Sequence, residues 1–396
     1  MMKRKQCPAM QARHEAGKSS AAKPAVPGRQ ICSLPDLKEG PLLSVAELLL
    51  IALVTAVYAV FVAVAGHSGW TATELEAARL MRGAEAAVAS CRRAEGWKPD
   101  PEADPNATGM IGEEYGDYTT SLGNLYAKRT GTDPRMAALM ARLYREAGVQ
   151  KGDAVAVGAS GSFPSLTIAS LAAAKAMGAR AIIIPSIGAS TWGCDIQGFT
   201  NIDLMRWLAD SPVSGFVVAG VSMGGDGDRM PGLFPEARDL ALKLIAGSGF
   251  YFIDAADTRA SVRERLRLYD KCAAALDCRL ACYVNVGGNI ANMGSGNDVL
   301  NFRPGLIEVP VAGVPVQNRG VIHEMSLRNI PTIHLLNLKG LCQRYSLPWD
   351  PMPLFNPDRP GQEKNGVPAG AAAAAYIIVT AAIIIAAIIR KKEYNK

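Results

Sequence analysis

Two long apolar runs bracket this chain, and each carries basic residues on its terminal side. The first is Leu42 to Ala65, with Glu47 as its single charge; the second is Ala371 to Ile389, with none. A bilayer core of about 30 Å takes about 20 helical residues at roughly 1.5 Å each. Neither run contains Pro, so every backbone group in them can be bonded within a helix, as a lipid environment demands. Both runs therefore read as membrane helices, which leaves residues 66–370 to fold between them.

Lys and Arg resist translocation, so they mark the cytoplasmic side. The tail Met1 to Pro41 carries 8 Lys and Arg against 3 acids, and the tail from Arg390 carries 4 against 1. Both termini read as cytoplasmic and the main domain as extracytoplasmic, in a two-pass protein of the cell membrane. Ala63-Val64-Ala65 before Gly66 resembles a signal-peptidase site. The apolar run is longer than a usual signal core, which favours an uncleaved anchor.

The net charge of +6 sits in those tails, and the stretch between the apolar runs is close to −1. The basic balance thus describes orientation. No Lys/Arg block or interleaved aromatic stripe occurs in the domain, which argues against nucleic acid as a partner. Six cysteines fall in the domain, and Cys272, Cys278 and Cys282 match neither a disulfide framework nor a zinc pattern. They read as small buried hydrophobes.

The chain divides into a basic tail 1–41, a membrane helix 42–65 and a helical lead-in 66–147 with a Pro-rich linker from Gly96 to Gly116. There follow an α/β domain 148–346, a Pro-rich spacer 347–370, a second membrane helix 371–389 and a basic tail 390–396. In the lead-in, Thr71 or Thr73 caps a helix to Arg93, and Asp133-Pro134 opens another that Gly148 ends. From Ala154 the apolar pattern becomes continuous. Ala154–Val157, Ala181–Ile184, Gly215–Ala219, Phe250–Ile253, Leu280–Val286 and Thr332–Leu338 read as strands. Helices separate them, near Pro164–Met177, Ile202–Leu208, Pro235–Ile245, Thr258–Leu276 and Val321–Arg328. Such strands alternating with helices predict a three-layer, Rossmann-like α/β domain with a mostly parallel sheet, and a transmembrane helix at each end of the chain.

Ligands bind such sheets beyond the carboxyl ends of the strands. Four loops there are built from small polar residues: 158–165, 185–191, 220–228 and 285–294. They nominate Gly158, Ser160, Gly161, Ser162, Ser190, Gly224, Gly287, Gly288 and Asn289 as ligand-binding residues. Small side chains admit a ligand close to the backbone, and the helix starting at Pro164 favours an anion beside Ser160 and Ser162. Neither a dinucleotide fingerprint nor a P-loop occurs, so no cofactor is implied. Gly220-Val-Ser222-Met-Gly224 matches a nucleophile-elbow pattern, but Gly225-Asp-Gly-Asp follows where the helix should start. Ser160, Ser162 or Ser222 with His323 as base forms the catalytic alternative. Asp254 and Asp298 are further possible partners, and His334, inside an apolar strand, reads as a core histidine. Asp226 and Asp228 with His323 are the nearest approach to a metal site, and two acids in a Gly loop read as a solvated turn; no metal is expected.

The segments Thr119–Thr130, Gly152–Pro164 and Gly188–Gly193 resemble the poly-γ-glutamate system proteins, as do Asn285–Gly288 and Ile333–Asn337. The resemblance runs from about Gly112 to Pro351. Members of that family accompany the synthase that builds poly-γ-glutamate, an anionic exopolymer or capsule. The resemblance implies an accessory role in its synthesis or export, with the synthase complex and a glutamyl polymer or its end as partners. It assigns no catalytic residue. Two other readings stand beside it: a serine hydrolase or transferase acting on γ-glutamyl bonds, and a small-molecule sensor domain.

Overall fold

The computed structural model describes residues 43–65, 69–230, 234–296, 299, 302–307, 313–360 and 369–394. The tail 1–41, Gly66 of the cleavage-like site, Asp298 and spacer residues 361–368 lie outside the described residues. The chain forms two units, Met1–Thr55 with Ile377–Lys396, and Ala56–Tyr376.

The first unit holds the start of α1 (Val45–Ala65) and the end of α12 (Ala369–Tyr394). Glu47 pairs there with Arg390. In the second unit, Tyr58 stacks on Tyr376 at 4.9 Å between ring centroids. Among the described residues, Ala374–Lys392 is apolar and long enough to cross a membrane, whereas the apolar stretch found in α1, Val45–Ala59, is shorter.

The second unit is an α/β fold around a mostly parallel sheet. Its chain order begins with α2 (Ala72–Ala94), β1 (Thr119–Ser121), α3 (Leu125–Gly131) and α4 (Arg135–Glu146). Next come β2 (Ala154–Ala159), α5 (Pro164–Ala176), β3 (Arg180–Pro185), β4 (Ala189–Ser190), α6 (Asn201–Ala209) and β5 (Val217–Val218). The second half runs α7 (Ala237–Ala246), α8 (Thr258–Ala275), β6 (Leu280–Val286), α9 (Ile290–Met293), β7 (Gly305–Ile307), α10 (Val321–Leu327), β8 (Thr332–Leu335) and α11 (Leu338–Tyr345). The six-stranded sheet has the order β5-β3-β2-β6-β8-β7, parallel except for β7, and β1 pairs separately with β4.

Alternation within the strands shows why both faces are covered. Val155, Val157, Ile183, Val284, Val286 and Ile333 enter one apolar cluster with α2, α4, α5 and α11. Ala154, Ala156, Ile182, Ile184 and Tyr283 enter another with α8 and α10. Strands with no solvent face read as unbroken apolar runs, which is the pattern met from Ala154 onward.

Four features differ from or go beyond the sequence reading. The lead-in helix α2 buries Ala77, Met81, Ala84 and Val88 in the same core as β2. The linker is packed as well: Met110 and Ile111 are buried, and Arg92 donates to the carbonyls of Gly109 and Ile111. The described part of the spacer is strapped down, with Phe355 buried beside Trp70, and Asp358 paired with Arg79 and Arg82. Phe250–Ile253 contributes only one bridge, from Phe252 to Val221, in place of a strand.

Truncating Met81, on the lead-in helix, tests this single core. Met81→Ala should lower the unfolding free energy by about 2–5 kcal/mol, the cost of a core cavity. The denaturant midpoint of the full chain reads it, and an unchanged midpoint would restore a separate lead-in.

Candidate functional site

The strand order reverses between β2 and β6, and that reversal sets their carboxyl ends side by side. It is where open α/β sheets take ligands. The loops that leave these ends are bonded to one another. Ser160 N–H donates to Val286 O at 3.0 Å, and Gly161 N–H to Gly188 O at 3.1 Å. Ser190 N–H donates to Ser162 Oγ at 2.9 Å. Gly287 has φ +78°, and a Cβ there would collide with Ser160 Oγ, so the close approach of the two loops depends on glycine. Ser160, Ser162, Ser190 and Asn289 are all buried. Gly158, within β2, lies against the Tyr283 hydroxyl and Asn292, and Gly288 follows Gly287 beside Leu336.

A residue that the sequence pattern did not nominate stands at the centre of this group. Asn124 caps α3 by accepting from Ala127 N–H at 3.0 Å, and the helix so started carries Lys128 inward. Lys128 is 2% exposed. Its Nζ donates to the Ser162 carbonyl, lies 2.7 Å from Ser190 Oγ and sits 4.3 Å from the centroid of the Phe163 ring. Burial pushes its ammonium down to about 7, with Cys194 and Asp195 pulling weakly upward. Burial also raises Asp195 to about 6, against hydrogen bonds from Thr119 Oγ1 and the Glu113 N–H that favour its charged form. The shift in Lys128 has a simple origin, since an ammonium loses its hydration there and gains neutral oxygens in return.

Ser222 and Gly224 belong to a second buried network. Arg265 and Asp228 form an ion pair at 2.9 Å with side-chain exposures of 0% and 1%. Ser222 Oγ donates to Asp228 at 2.8 Å and accepts from Arg265 at 2.5 Å. Gly224 N–H, Ser261 Oγ and Asn289 Nδ2 also donate to Asp228, and Asn289 reaches Ser186 Oγ as well. Asp228 holds φ +60°, a left-handed conformation that this ring of donors fixes. Ser222 thus ties a loop to a buried ion pair.

His323 is fully buried in α10, where its Nδ1 accepts from Gly320 N–H at 3.0 Å and its ring lies 5.7 Å from Phe302. Among the nominated serines, Ser190 meets the amine of Lys128, whereas Ser222 meets the guanidinium of Arg265. His334 bonds Asn285 Nδ2 at 3.0 Å and is pushed by burial down to about 4, so it is a neutral core histidine. Asp254 is exposed. Among the described residues no group of three His, Cys, Asp or Glu side chains could hold a metal ion. The described cysteines are free thiols, and Cys194, Cys282 and Cys342 are buried.

The carboxyl edge is closely packed around these groups, whereas a groove of about 410 Å³ opens at the opposite edge of the sheet. Lys151, Lys175, Arg180 and Phe216 line it. The carboxyl edge is the better candidate, because it alone combines the strand-order reversal with a buried amine and converging hydroxyls. No protein-family model and no curated protein matches the chain.

Two outcomes follow from these surroundings. Arg265→Met leaves Asp228 buried without its counter-charge and should cost about 3–5 kcal/mol. Urea unfolding measures it, and a loss under about 1 kcal/mol would contradict a tightly coupled pair. The second concerns Lys128, whose proton leaves at about 7 in the folded chain against an ordinary value of 10.5. Across that window the unfolded chain binds more protons, so stability rises with pH there; the cost of burying the charge is present in full below the window. Lys128→Met should flatten the rise, read as the change in denaturant midpoint from about pH 7 to about pH 10. Equal slopes in the two proteins would contradict the buried amine.

Proposed function

We propose that this chain is a membrane-anchored accessory component of poly-γ-glutamate synthesis or export. In this reading a Rossmann-like domain receives a glutamyl unit or chain end at the carboxyl edge of β2, β3 and β6. One observation carries it: the five segments that bear the resemblance converge on one place. Lys128 comes from the first, Ser160 and Ser162 from the second, Ser190 from the third and Gly287 from the fourth. Leu335, in the fifth, accepts the Gly287 N–H at 3.0 Å. Segments far apart in the chain that meet around one buried amine are what a ligand site requires.

The chemistry suits the ligand class. A glutamyl unit presents a carboxylate and amide groups. Lys128 supplies a buried amine, and the serines supply hydroxyls at the geometry of hydrogen bonding. A domain near −1 between the apolar runs is poorly suited to coat a polyanion along its length, so a single unit or an end is the better fit. Glu47, near the start of α1, pairs with Arg390, near the end of α12, and this pairing supports reading the two helices as a two-pass anchor with both termini cytoplasmic.

Deletion of the chain from a producing cell tests the reading. Polymer amount, length or release should change and be restored by the full chain. An unaltered polymer in the deletion strain would overturn it.

A further inference from the structure

Ser190 and Lys128 share more than proximity. Three elements hold Ser190 in place. Its N–H donates to Ser162 Oγ at 2.9 Å, its carbonyl accepts from Gly193 N–H at 3.0 Å, and β4 is paired to β1. Trp192, two residues on, holds φ +66°, an uncommon conformation for a bulky side chain. Strain of that kind is kept where the surroundings over-determine the backbone, often beside a functional group. Lys128 is oriented from the other side, since its N–H to the Ser162 carbonyl has an oxygen that can only accept. The lone pair of the neutral amine is then free to take the Ser190 hydroxyl proton across 2.7 Å. A nucleophile within reach of a base whose own orientation is fixed defines this chemistry, whichever residues serve.

We propose that Ser190 is a nucleophile and Lys128 its general base, acting on an amide or ester carbonyl. The substrate class rests on the preceding reading, under which the bond is a γ-glutamyl amide. In the first step Ser190 Oγ bonds to the carbonyl carbon while its proton passes to Lys128 Nζ. The carbon–nitrogen bond then breaks, and the lysine ammonium returns that proton to the departing amine, leaving an ester on Ser190. Water attacks the ester, gives a proton to Lys128 and releases the carboxylic acid, and the proton returns to Ser190 Oγ. Ser162 acts as a positioning residue, through the hydrogen bond its hydroxyl accepts from Ser190.

Access needs one local movement. Ser121–Asn124 lies over the pair and is exposed, and a Cβ on Gly123 would come within 2.9 Å of Ser190 Oγ. Thr191 holds the segment, accepting from Gly123 N–H at 2.7 Å while its own N–H donates to Ser121 O at 3.0 Å. The charged or titratable groups facing Lys128 are Cys194, whose thiol burial pushes up, and Asp195, raised to about 6. Asp195→Asn should leave the step in rate in place, which assigns that step to the lysine.

The test uses the full chain in detergent or native membranes with a fluorophosphonate probe. Mass spectrometry of the digested protein should place the adduct on Ser190. The labelling rate should rise with pH through about 7, because the neutral amine is the base. Lys128→Arg keeps the charge and the donors but cannot release a proton, and should slow labelling by about 100-fold or more. An unmodified Ser190 in the wild-type protein overturns the proposal, and so does a rate that is flat with pH. Labelling is read without the polymer. A Ser190 adduct in a protein whose deletion leaves the polymer unchanged therefore supports the pair and counts against the glutamyl substrate alone.

Discussion

The arrangement of this molecule depends on burying both faces of one parallel sheet. Strands that alternate between two apolar clusters leave solvent only at the sheet's ends. Polar chemistry is therefore confined to the loops at those ends. The order β5-β3-β2-β6-β8 then selects a place, because the chain winds away from β2 in one direction and from β6 in the other. The loops leaving β2 and β6 cannot both cross the gap, so they close on each other through Ser160, Val286 and Gly287.

Two polar networks occupy that edge, and they differ in kind. Around Asp228 every strong donor is answered: Arg265, Ser222, Ser261, Asn289 and the Gly224 amide converge on one carboxylate. Such a network fixes loop geometry. Around Lys128 the balance is reversed. A buried amine faces neutral oxygens and a ring, and it exchanges its proton at about 7. Asn289 and Ser186 lie where the rigid network comes near the loops of the other one, so the first supports the second.

Much of the fold was legible. The runs around Val155, Ile183 and Val284 read as buried strands because their length and β-branched content exclude a helix of similar apolarity. Pro164 marked the start of α5, and of the two threonines offered, Thr71 caps α2, with Glu74 completing the pair. The misses have physical causes. β7 is three residues that become a strand only by pairing with β8, and Phe250–Ile253 is apolar because it packs, with a single bridge to Val221. The proline-containing stretch after Gly96 looked like a linker, yet Arg92 gathers its carbonyls into the core. Ser160, Ser162, Ser190 and Asn289 could be nominated from loop position, whereas Lys128 could not. Lysine is by default an exposed residue, and only the packing of α3 beneath Ser121–Asn124 shows that this one is not.

The central claim is that the carboxyl edge around Lys128 receives the ligand, and hydrogen exchange of the full chain with and without a short γ-glutamyl oligomer tests it most directly. Amides of residues 121–124, 160–163 and 188–193 should exchange more slowly with the oligomer present. Slowing confined to residues 151–152, 178–181 and 213–216, which line the groove at the other edge, would contradict it.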